Sequence, residues 1–71
     1  MTTAQRHSFD RNMLPCLGVT WHRFANRNTA AAFARWAERE TRNDQYPCEA
    51  FVTSDDRNPA DERWEVKVRN W

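Results

Sequence analysis

The stretch Arg63-Trp64-Glu65-Val66-Lys67-Val68-Arg69-Asn70-Trp71 decides the fold. Trp64, Val66 and Val68 alternate with Arg63, Glu65, Lys67 and Arg69, the two-residue period of a strand with one buried face. Tryptophan and valine at the inward positions suit a pleated, half-buried surface. No other segment alternates so cleanly, which predicts a central place in the sheet. Trp71 closes the chain on the charged side of that strand.

Reading backwards, residues 55–62 hold four acids, one arginine, a proline and no large apolar anchor, the composition of a loop. Residues 48–54 form a second alternating run, with Cys48, Ala50 and Val52 on one side and Glu49, Phe51 and Thr53 on the other. The short link makes the two runs an antiparallel hairpin. Residues 30–42 are rich in strong helix formers. Ala30, Phe33, Ala34 and Ala37 recur at helical spacing, with Trp36 widening the stripe and Arg35, Glu38, Arg39 and Arg42 opposite. Asn26-Arg27-Asn28-Thr29 supplies cap chemistry ahead of it, and Asn43-Asp44 with Pro47 ends it. Glu38 stands four residues before Arg42, the favourable order for an exposed helical ion pair.

Residues 16–24 predict the remaining strand. Leu17, Val19 and Trp21 alternate with Gly18, Thr20 and His22, and the more apolar set is assigned to the core. The lone glycine, Gly18, marks a bulge or a close backbone approach. Residues 1–15 form a polar arm in which Phe9 is the residue able to pin an edge strand. The chain is therefore an α+β domain, β-α-β-β over residues 16–71, with one helix on one face of a small, mainly antiparallel sheet. The first strand lies beside either of the other two. The strength of the last strand favours that neighbour and an all-antiparallel sheet.

Seventy-one residues allow one domain and exclude two. Eleven basic residues, ten of them arginine, stand against ten acids for a net charge of +1. That balance excludes both a polycationic coat for nucleic acid and an acidic mimic of it. A mean hydropathy of −1.04 leaves little apolar material beyond one core. No run approaches the roughly 20 apolar residues of a membrane span, and the first residues lack a secretory apolar region. Two cysteines are too few for a disulfide scaffold, which points to a reduced, cytoplasmic setting.

Catalytic constellations do not assemble. Cys16 and His22 are six strand residues apart, about 20 Å. Cys16, His22, Cys48 and His7 lack zinc-site spacing, Glu38 and Glu40 diverge on the helix, and no glycine-rich phosphate loop is present. The expectation is a protein without enzymatic activity, cofactor or metal. The informative feature is the sheet face that the helix leaves uncovered. Strand parity assigns to it Thr20, His22, Phe24, Phe51, Thr53, Arg63, Lys67, Arg69 and Trp71. Aromatic and arginine side chains are over-represented at binding hot spots, and the same types stack on bases and contact phosphates. Glu65 also falls among the basic groups, and an arm folded across this face to bury Phe9 on Phe24 or Phe51 would make it a second core.

The β-α-β-β order, the capped alanine-rich helix and the tryptophan-bearing final hairpin together resemble the small phage-encoded accessory proteins that include many anti-CRISPR proteins. The resemblance spans residues 16–71 in outline and brings no functional residue with it. It implies a non-enzymatic inhibitor in the cytoplasm of a bacterial host, acting on a host protein or nucleoprotein complex by steric blocking. Arg35, Arg39 and Arg42 on the helix, or Asp55, Asp56 and Arg57 in the loop, would assist the open face. The alternative is a single-stranded RNA- or DNA-binding domain. There His22, Phe24, Phe51 and Trp71 stack on bases while Arg63, Lys67 and Arg69 hold phosphates. A third reading is an oligomeric structural protein pairing through an edge strand or the open face.

Overall fold

The computed structural model describes residues 9–70. Strand β1 (Gly18–Phe24) leads into helix α1 (Arg27–Glu40), followed by β2 (Glu49–Ser54) and β3 (Trp64–Asn70). Short 3-10 turns occupy Arg11–Met13 and Ala60–Glu62. The three strands form one antiparallel sheet in the order β1-β3-β2, so the cleanest alternation is the central strand. The helix begins earlier than its alanine run. Asn26 caps it, its side-chain oxygen accepting from the Thr29 N–H at 2.8 Å and the Thr29 hydroxyl at 2.9 Å. At the other end Thr41 donates its hydroxyl to the Ala37 carbonyl and accepts the Cys48 N–H, fastening the last turn to the start of β2.

Ala30, Phe33, Ala34 and Ala37 of α1 bury against Val66, Val68 and Cys48. Phe33 is the hub. The rings of Phe9, His22, Phe24 and Trp36 stand 4.9–5.8 Å from it in edge-on or tilted contacts. The parities of β2 and β3 are as expected. That of β1 is inverted: Thr20 pairs with Val68, His22 with Val66 and Phe24 with Trp64, all on the helix side, while Val19, Trp21 and Arg23 pair with Arg69, Lys67 and Glu65 on the open side. A one-residue change of parity exchanges every side chain of a strand between faces. Leu17, Val19 and Trp21, expected in the core, are 61%, 39% and 57% exposed.

The cause is the segment ahead of β1. Phe9, Met13 and Leu14 pack onto the core beside Phe24 and Trp36, with Phe9 against Phe33 and Trp36. The apolar volume that Leu17, Val19 and Trp21 would have supplied thus comes from residues 9–14. His22 is admitted to this side because its ring Nε2–H donates to the Met13 carbonyl at 2.6 Å. Residues 9–15 contribute a 3-10 turn and no strand, and they lie against the core rather than across the open face; residues 1–8 and Trp71 lie outside the described residues. Gly18 stays in register with Asn70 and has open space where a Cβ would sit. It is needed for its φ of +110°, not for close approach.

Candidate functional site: the open sheet face

The uncovered face is built row by row from the register. The middle row is Trp21–Lys67–Phe51, flanked by Val19–Arg69–Glu49 and Arg23–Glu65–Thr53. Adjacent strands are about 4.8 Å apart, so Trp21 and Phe51 bracket Lys67 across about 10 Å. Trp21 is 57% and Phe51 43% exposed. The Lys67 ammonium sits 5.5 Å from the Trp21 ring centre and the Arg69 guanidinium 5.2 Å from that of Phe51. Both cations help hold the rings on the surface, each contact worth about 0.5–1 kcal/mol at such exposure.

Charge on this face is largely compensated. Arg23 Nε donates to Glu65 at 3.1 Å and its guanidinium lies 3.8 Å from Glu62. Arg69 Nε donates to Glu49 at 3.1 Å. Lys67 has no ion-pair partner among the described residues. The face therefore presents two aromatic surfaces and one unneutralised cation, framed by ion pairs.

Of the residues expected here, Phe51, Lys67 and Arg69 are brought together. His22, Phe24 and Thr20 are not, because they face the helix. Arg63 lies just before β3, its Nε 4.0 Å from Asp56 and without a hydrogen-bond partner. Arg35, Arg39 and Arg42 are exposed on the helical side of the molecule. In the loop, Asp55 accepts from both Nε and the terminal nitrogen of Arg57 at 3.0 Å, and from its backbone N–H. This hydrogen-bonded arginine holds the Asp55 carboxyl below its ordinary range. Asp56 is almost wholly exposed.

Trp21, Val19 and Arg23 belong to the face, where the sequence parity does not place them, and Glu49 joins them on the side it shares with Phe51 and Thr53. The signal available was Phe24: it ends β1 three residues before the helix begins, and its ring packs against Phe33 of that helix. Cys16 is exposed and Cys48 buried, both as free thiols. At the far end of the sheet, an open cleft of about 470 Å³ lies between Arg11, Cys16, Tyr46 and Asn70. Arg11 is held there by Asp44 at 2.7 Å and by the Glu40 carbonyl at 3.1 Å. No described helix is long and apolar enough to cross a membrane. Compared with known proteins, the chain matches no family model, no curated protein and no solved structure.

Proposed function

We propose that this chain is a non-enzymatic protein-binding module that docks a partner protein on the open sheet face, with Trp21 and Phe51 as anchors. The carrying observation is the middle row, where two half-exposed rings flank Lys67 while the neighbouring arginines are neutralised in place. Protein hot spots combine aromatic anchors with few unpaired charges at the centre and a polar rim. Tracking a single strand of nucleic acid on this face instead needs several available cations. It would also have to do without His22 and Phe24 as stacking groups. The resemblance to anti-CRISPR-type proteins directs the search for the partner to nucleoprotein complexes in the bacterial cytoplasm, which the module would block sterically.

The test is affinity capture from bacterial lysate with the wild-type chain and with a Trp21→Ala/Phe51→Ala variant side by side. A partner retained by the first and lost by the second supports the reading, since hot-spot truncations each weaken binding by roughly tenfold or more. Capture that is indifferent to the double substitution, or no captured protein at all, overturns it. A concentration-dependent dimer of the wild type, seen by light scattering and abolished in the same variant, assigns the face to self-association instead.

A further inference from the structure

On the surface opposite the open face, the outward side of α1 and the turn after it carries Arg35, Arg39 and Arg42, with Arg27 near the helix start. All four are exposed. Arg35 and Arg39 are spaced at i and i+4 on one face of the helix, about 6 Å apart along the axis, and Arg42 continues this arc in the turn just past the helix end, where its N–H bonds the Arg39 carbonyl. These arginines differ from every other described arginine. Arg11, Arg23, Arg57, Arg63 and Arg69 each have a carboxylate within 4.0 Å. Arg27, Arg35, Arg39 and Arg42 have none among the described residues.

The helix has acids of its own, and both are turned away. Glu38, correctly spaced for Arg42, accepts the Ala50 N–H at 3.1 Å on the edge of β2. Glu40 faces Arg11, whose guanidinium is 4.0 Å from it. The expected Glu38–Arg42 pair therefore does not form, and the arc is left as a row of uncompensated guanidinium groups. Its only apolar members are Ala31 and Ala32, so the arc offers none of the large anchors that protein interfaces use. Forked cations in a row, without large apolar groups or base-reading side chains between them, match a phosphodiester backbone.

We infer that the Arg35–Arg39–Arg42 arc binds the phosphate backbone of a nucleic acid without reading its sequence. Binding follows counterion release, and three contacts give a slope of about −3 in log affinity against log salt on duplex DNA. The experiment is fluorescence anisotropy of labelled duplex DNA, duplex RNA and single-stranded oligonucleotides of mixed sequence, titrated with the full chain to about 0.5 mM from low to moderate salt. Polyglutamate of similar length serves as the acidic-peptide competitor.

The expected result is sequence-indifferent binding to one or more of the nucleic acids with that slope, the three probes identifying which backbone is preferred. It should fall at least tenfold in Arg35→Ala/Arg39→Ala/Arg42→Ala and be unchanged in Trp21→Ala/Phe51→Ala. All three arginines are exposed, and circular dichroism confirms that the variant is folded. No binding at low salt, binding that survives the triple substitution, or displacement by polyglutamate at equal charge concentration overturns the inference. The last outcome would assign the arc to an acidic protein. Loss of binding in the sheet-face variant instead would move the nucleic acid to the open face and overturn the protein-docking proposal as well.

Discussion

Thr20 is a small polar residue on the wrong side of a small core. Its hydroxyl is buried on the helix face with no hydrogen-bond partner. A buried hydroxyl without a partner costs about 1–3 kcal/mol relative to an apolar group of the same shape. Thr20→Val keeps the shape and the β-branching, so it should raise stability by about 1 kcal/mol and the melting temperature by several degrees; a lower denaturation midpoint would show that the hydroxyl has a partner in solution. Asp55 is the opposite case, a carboxylate that accepts three hydrogen bonds from Arg57. Its folded-state value lies below the ordinary 3.8 because of the Arg57 hydrogen bonds. The stabilisation it contributes is therefore complete above the ordinary aspartate range and is lost as pH falls through the lowered value. A carboxyl-carbon NMR titration should place the Asp55 midpoint below the ordinary aspartate value of 3.8, and Asp55→Asn should remove the corresponding acid-limb loss of stability. An Asp55 midpoint at or above 3.8 would contradict the pairing. Neither feature is readable from residue type alone, because both depend on which partner the fold brings close.

At the scale of elements, the two sheet edges differ. The Asp55 N–H bonds the Arg63 carbonyl at 3.0 Å, continuing the β2–β3 ladder through the odd-numbered positions. The even positions of β2 then point outward, and Glu38 covers the first of them at Ala50. On β1 the same alternation turns the backbone of Val19, Trp21 and Arg23 outward, and no described group bonds it. Hydrogen exchange should accordingly show fast amides at Val19, Trp21 and Arg23 beside protected ones at Thr20 and His22, with Ala50 slower than Val52. Glu38→Ala should release Ala50 alone and leave global stability nearly unchanged; uniform protection along β1 would mean that its edge is covered. The helix, the hairpin and the central strand were legible because each carries one unambiguous period over six or more residues. The facing of β1 was not. Both of its parities contain aromatic residues, and the choice between them depends on Phe9, Met13 and Leu14, which approach from outside the strand. By alternation alone Val19 and Trp21, the latter one of the two exposed rings, fall in the core, and Thr20, His22 and Phe24 fall on the face.

For the whole molecule, the net charge of +1 hides a division between two surfaces of a slab measuring 35 × 34 × 15 Å. One surface holds compensated charges around two exposed rings; the other holds uncompensated arginines. A chain with so little apolar material has reason to bury its tryptophans, yet Trp21 stands mostly in solvent. If that ring served folding, removing it would cost the several kcal/mol typical of a core aromatic, a large part of the stability of any domain this size. Its only described ring contact is the Lys67 ammonium, and Phe51 has the Arg69 guanidinium, so truncating both should forfeit about 1–2 kcal/mol in all. We expect Trp21→Ala/Phe51→Ala to remain folded and cooperative, with a urea midpoint only modestly lowered. Phe33→Ala, which empties the hub of the core, should leave little or no folded protein. A double variant as damaged as Phe33→Ala would mean that the open face is a structural surface, and the rings would lose their standing as anchors. A double variant that keeps its fold separates binding from stability on this face, the condition under which loss of a partner in the same variant can be read as loss of contact.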